Sequence, residues 1–173
     1  MSQNLISSSN SSLSHFNENG EASMVDVGGK SVTERCAIAG CEIEMRPETI
    51  EILQKGALKK GDAFTVAKTA GILAVKRTSE LIPLCHPLPL EYIEIRFSNR
   101  PHGNGILIES EVRTTAKTGV EMEALTGAMT TALTIYDMAK SCDPGMVITN
   151  LRLIKKTGGK SDYCDQSRNY YSK

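Results

Sequence analysis

Three stretches of the chain carry side chains that could do chemistry. In "GVEMEALTGAMTTALTIYDMAKS", residues 119–141, Glu123, Thr126, Thr130, Thr134, Asp137 and Ser141 recur at steps of three and four. At helical spacing they share one face, and Lys140 follows Asp137 closely enough for ammonium and carboxylate to meet. The ordinary alternative is a solvated face with a surface ion pair. Against it, threonine is a poor helix former where exposed helices favour Glu, Lys and Gln. A small polar stripe ending in Asp and Lys suits the wall of a groove. The second stretch is "KKTGGKS", residues 155–161. It is not a phosphate-binding P-loop, because Ile154 stands where the first glycine is required. Gly158 and Gly159 still allow close backbone approach, and Lys155, Lys156 and Lys160 supply charge for an anion. A flexible basic tail is the alternative. Lys59 and Lys60 in "LKKGDA" add charge before a helix start, which itself favours anions.

The third stretch is "LIPLCHPLPL", residues 81–90. Three prolines rule out the interior of a helix or a central strand, and apolar spacers rule out an ordinary wet loop. The segment surrounds one imidazole, His86, next to Cys85. A core histidine bonded to a carbonyl is the plain alternative. A Cys85–His86 dyad is disfavoured because adjacent side chains rarely face each other, and two further zinc ligands are missing. His15 and His102 invite no role. Lysines from separate segments, with one Asp and one His, point to an enzyme or binding protein for a phosphorylated small molecule.

Bulk properties narrow the field. The 173 residues carry zero formal net charge and 40% hydrophobic residues, with no Trp. That is enough chain for one domain with a real core, without a broad lure for nucleic acid or anionic lipid. No apolar run is long enough for a membrane helix. Five cysteines without a CxxC pair argue against a disulfide framework and for a reducing, cytoplasmic setting. Residues 1–22 are rich in Ser and Asn, lack Lys and Arg, and read as a disordered tail rather than a targeting peptide.

The elements that must position these groups follow from periodicity. In 33–45, Ala37, Ala39, Cys41, Ile43 and Met45 alternate with Glu42 and Glu44, as in a half-buried strand. Pro47 opens a short helix that Gly56 stops, and Asp62 caps a longer helix over about 63–79. Residues 91–98 and the run "ILIESEVRTT" alternate around a turn, giving a hairpin. A long helix over 119–140 presents Leu125, Met129, Ala132, Leu133, Tyr136 and Ala139 to the core. Asp143-Pro144-Gly145 ends it, and "VITNLRLIKK" is the last strand. The order β-α-β-β-α-β predicts an α+β, ferredoxin-like split βαβ sandwich: a four-stranded antiparallel sheet with helices on one face. One domain spans 23–161, followed by a tail at 162–173. The second sheet face would need another subunit to cover it.

"MVDV" at 24–27, "KGDAFTVAKTAGILAVKRTSELIPLCHPLPL" at 60–90, "GVEMEALTGAMTTALTIYDMAKS" and "KKTGGKS" together resemble the cyclic pyranopterin monophosphate synthase family, molybdenum cofactor biosynthesis protein C. The resemblance implies a ferredoxin-like fold assembled as a homohexamer, a trimer of dimers, with active sites at subunit interfaces. It implies a lyase that converts a cyclised dihydro derivative of GTP into cyclic pyranopterin monophosphate, releasing pyrophosphate. By motif position, Asp137 matches the catalytic acid/base, and Lys60 and Lys140 match catalytic lysines. Leu84, Cys85, His86, Met122 and Glu123 match substrate-binding positions, with Glu121 assisting. Lys156 matches a lysine that closes on the phosphates, and Arg35, in the first strand, is a further candidate for phosphate contact. No cofactor or metal site is implied, and Mg²⁺ could ride on the phosphates alone. The family pattern follows GGKS with Gly where this chain has Asp162, so a carboxylate there could weaken phosphate closure or alter loop mobility. Two other classes compete. An RNA-binding module shares the split βαβ order, but the strand aromatics are only Tyr92 and Phe97. A hexamer that binds GTP derivatives without turnover would release no pyrophosphate.

Overall fold

The structure, a computed structural model, describes residues 21–56, 61–101 and 103–166. Most of the expected N-terminal tail, His15, Lys59, His102 and the end of the C-terminal tail lie outside this set, as does the expected catalytic Lys60.

The chain runs β1 (Thr33–Glu44), α1 (Pro47–Gln54), α2 (Ala63–Lys76), α3 (Thr78–Leu81), β2 (Tyr92–Asn99), β3 (Gly105–Ala116), α4 (Glu121–Ala139), β4 (Val147–Thr157) and β5 (Tyr163–Cys164). The fold is α+β around one open antiparallel sheet in the order β2-β3-β1-β4-β5. Among the described residues the sheet has five strands, where four were expected. The chain turns back at Gly158, and Tyr163 and Cys164 pair with Lys156 and Lys155. A two-residue strand is too short to leave a period in the sequence. Helix α4 lies across β1, β3 and β4, and α2 packs beside it and against β2.

Local chemistry explains the element ends. Pro47 sits in the first turn of α1. The Asp62 carboxylate accepts the Phe64 and Thr65 N–H groups at the start of α2. Asp143 ties the end of α4 to the start of α1. It accepts the Arg46 N–H at 2.9 Å and the Thr49 hydroxyl at 3.1 Å, while buried to 4% exposure. The Arg46 N–H chiefly, with the Thr49 hydroxyl and the Arg46 charge, holds this carboxyl below its ordinary value. A depressed folded pKa stabilises above the unfolded value and is lost as pH falls through the folded one. Asp143→Asn should therefore cost about 1–3 kcal/mol at neutral pH, a difference that shrinks below about pH 4, measured by urea unfolding at both pH values.

Two expectations about faces change. Glu42 was placed on a solvated side of β1, yet it is 2% exposed. β1 is a central strand of the sheet, and Glu42 is enclosed by Arg100 Nε at 2.7 Å and Asn150 Nδ2 at 3.0 Å. Asn150 adopts φ +56° at an irregular part of the β1–β4 register. Helix α4 is also rotated from the expected orientation. Its core face is Ala124, Gly127, Ala128, Thr131, Ala132, Ile135 and Met138, while Met129 and Leu133 are 37% and 50% exposed. Leu125 and Tyr136 are half-buried. Small residues face inward because α2 and α4 nearly touch. A Cβ on Gly71 would fall 3.2 Å from the Gly127 carbonyl oxygen, and one on Gly127 would fall 2.6 Å from Val75 Cγ2.

Candidate active site

The proline segment is a wall, and its anchors are visible. Leu88 and Leu90 pack on the core cluster of Ala37, Ala39, Val75, Val112, Val120 and Ala124. The Thr114 hydroxyl donates to the Pro89 carbonyl at 2.5 Å, Cys85 N–H to Ile82 O at 3.0 Å, and Glu91 N–H to Arg113 O at 3.0 Å. Prolines remove backbone freedom, and these contacts remove most of what remains. Leu84, Cys85 and His86 consequently face a fixed space beside the start of α4.

That space is a cavity of about 470 Å³. It is lined by Leu84, Cys85, His86 and Leu88 from the wall, Thr118, Gly119, Glu121, Met122 and Glu123 from the helix start, Lys156 from β4, and Val25 and Lys30 from the N-terminal segment. Seven of the expected substrate-binding residues thus meet in one place. Gly119 has a local reason: a Cβ there would fall 2.0 Å from Glu121 Oε2, so glycine lets that carboxylate fold back over the chain. Lys156 Nζ reaches Glu121 Oε1 at 3.4 Å.

The electrostatics separate the groups by task. Burial, helped by the Glu121 charge and opposed by a backbone hydrogen bond, raises the Glu123 carboxyl above its ordinary value. Glu123 is 4% exposed and is suited to hold and give up a proton. Burial and then the Glu123 charge push the Cys85 thiol up, so it is a protonated wall atom and not a nucleophile.

Lys30, missed as a site residue in the sequence reading, enters on a built turn. Asp26 Oδ1 accepts the Gly28 N–H at 2.7 Å, Lys117 Nζ donates to Gly28 O at 2.6 Å, and Lys30 N–H donates to Val27 O at 3.1 Å. The Gly28-Gly29 pair before a lysine was the available signal, the same pattern as at Gly158-Gly159-Lys160.

Other expected residues lie elsewhere. Arg35 donates to the carbonyls of Ala116 and Lys117, both at 3.4 Å, and lines a separate recess with Arg113. Asp137 and Lys140 pair at 2.7 Å, both more than half exposed, at the far end of α4. The Asp137 carboxylate raises the Lys140 pKa, so this amine stays charged. Between Glu123 and Asp137 the helix rises about 21 Å. One chain does not bring its acid–lysine pair to its cavity.

A sequence profile of the MoaC family matches residues 24–159. The chain belongs to the MoaC family. Its match covers the cavity wall, the whole of α4 and the lysine strand, which are the parts just described. Relatives of the MoaC chain named cyclic pyranopterin monophosphate synthase include one from Pelotomaculum thermopropionicum, 54% identical over 151 residues, covering 87% of this chain and 89% of the relative. One from Desulfovibrio desulfuricans is 53% identical over 152 residues, covering 88% and 93%. One from Chloroflexus aggregans is 51% identical over 156 residues, covering 90% and 94%. Among the described residues of this MoaC chain, no cluster of three His, Cys, Asp or Glu could hold a metal ion. No described helix is long and apolar enough to cross a membrane.

Proposed function

We propose that this chain is a cyclic pyranopterin monophosphate synthase. It would be a cytoplasmic lyase of molybdenum cofactor biosynthesis that takes a cyclised dihydro-GTP intermediate and releases pyrophosphate. The observation that carries the reading is the convergence of Leu84–His86, Glu121–Glu123 and Lys156 on one cavity, together with relatives of that name across most of the chain. In this reading Lys156 and Lys30 hold the triphosphate. The proline wall and Met122 bound the ring system. Glu123, whose carboxyl burial pushes above its ordinary value, and Glu121 serve proton transfer during ring opening and closure. Formation of the cyclic phosphate then expels pyrophosphate, whose developing charge the lysines stabilise.

The catalytic Asp137 and Lys140, with Lys60, come from a second copy in this proposal. Along α4, Met122, Met129 and Leu133 are exposed and Leu125 and Tyr136 half-buried, which is one apolar stripe at helical spacing. Met129 is midway between Leu125 and Leu133, and also between Glu121 and Asp137. Two α4 helices packed antiparallel about a two-fold axis at Met129 set Leu125 against the partner's Leu133. The same packing brings the cavity end against the partner's Asp137. Three such dimers give the proposed homohexamer. The strand order supports a ferredoxin-like split βαβ domain, to which β5 adds an edge.

The decisive assay is pyrophosphate release from the cyclised GTP intermediate. Turnover by the wild type supports the lyase, and tight binding without release would make the chain a non-catalytic relative. Lys30→Ala and Lys156→Ala are each expected to raise KM about tenfold at low salt, on the scale of one charged hydrogen bond, and by less at high salt, where screening weakens the lysine's hold in the wild type as well. Unchanged KM in both, measured in the same assay across salt concentrations, would remove the phosphate assignment.

A further inference from the structure

Asp162 follows the glycine-rich turn, in the stretch expected to be a tail. Its Oδ1 accepts the Gly158 backbone N–H at 3.1 Å, so the side chain spans the turn from β4 towards β5. Gly158 lies at φ +85°, and a Cβ there would fall 1.8 Å from the Glu34 carbonyl oxygen, so only glycine fits. The Thr33 hydroxyl donates to the Gly158 carbonyl at 2.8 Å. Past the turn, Asp165 N–H donates to Ile154 O at 2.8 Å and the Asp165 carboxylate meets Arg152 Nε at 3.0 Å. Between these ties the hairpin has only the pairs Lys156–Tyr163 and Lys155–Cys164. So short a ladder is marginal by itself in water, and the link across the turn counts for much of its order.

We propose that Asp162 is a positioning residue for the cavity. Through the Gly158 N–H it fixes the β4–β5 turn, and so holds Lys156 where its ammonium meets an anion. The proposal rests on the reading of the cavity as the phosphate-holding site. Asp162 acts here as a hydrogen-bond acceptor rather than as a charge. An amide oxygen can replace it and a methyl group cannot. This reverses the expectation that the carboxylate weakens phosphate closure.

The test compares Asp162→Ala and Asp162→Asn in the full-length assembled protein. Steady-state kinetics on the cyclised GTP intermediate are combined with hydrogen exchange at the Gly158 amide. Asp162→Ala should raise KM about fivefold with kcat nearly unchanged, and speed Gly158 exchange by a similar factor, the scale of one hydrogen bond. Asp162→Asn should restore both. A KM that is unchanged or lowered in both variants would overturn the proposal, since the carboxylate would then be idle or repelling the phosphates. If the wild type released no pyrophosphate, the functional reading would fall, and inorganic triphosphate would serve as the probe. Weaker triphosphate binding by Asp162→Ala alone would support the positioning role, and equal binding by both variants would refute it.

Discussion

Asp137→Ala is expected to lower kcat about 10³-fold, within the usual span for removing a general acid or base, while assembly and substrate affinity persist. Asp137 and the Lys140 it pairs with are both more than half exposed, so the substitution leaves the core packing untouched. The sharper form of the experiment uses two inactive variants together. Asp137→Ala keeps an intact cavity, and His86→Ala keeps an intact Asp137–Lys140 pair. If each site joins one chain's cavity to its neighbour's pair, a mixed dimer holds one complete site of two. Random mixing then returns about a quarter of wild-type activity. Should the site lie within one chain, the mixture stays dead. The 21 Å of helix between Glu123 and Asp137 argues for recovery.

Leu133→Glu should have a comparable effect by another route. Leu133 is half exposed in the single chain, so glutamate there leaves the helix and the core intact. In an antiparallel α4 pair the substitution buries two carboxylates, one from each copy, against leucine. The effective penalty is several kcal/mol per ion. Sedimentation should show loss of the assembly, circular dichroism should show retained helix, and pyrophosphate release should fall to background. A variant that stays assembled and active would remove α4 from the interface. Leu133→Ala is the milder control and should weaken the assembly without abolishing it.

Much of the fold was legible because local rules acted without competition. Pro47, the Asp62 cap and the alternation of Ala37 to Ile43 each specify their element by themselves. The proline segment was recognised as irregular and apolar for the same reason. Helix α4 was not legible in this way. It carries two stripes of helical period, and the bulkier one, through Met129 and Leu133, looked like core. The real core face is built from Ala124, Gly127, Ala128 and Thr131, because α2 and α4 approach too closely for large side chains. Which stripe turns inward is decided by the neighbour at Gly71, far away in sequence. Lys30 and β5 were missed for a related reason. A turn and a two-residue strand have no period, and their roles exist only once distant segments meet.

Glu42 has a consequence that reaches the far end of its neighbouring strand. Its carboxylate is enclosed and matched by Arg100 and by Asn150, which belongs to β4. It therefore acts as an alignment key for the sheet. A β4 strand that slid by two residues would keep its in–out alternation and most of its ladder, so hydrophobic patterning alone would not forbid it. It would, however, draw Asn150 away from Glu42 and break the 3.0 Å hydrogen bond by which β4 grips this enclosed carboxylate. It would also carry Lys156 along by about 6.7 Å, out of reach of Glu121. One enclosed carboxylate near the start of the domain thus sets how far a lysine more than a hundred positions later extends into the cavity.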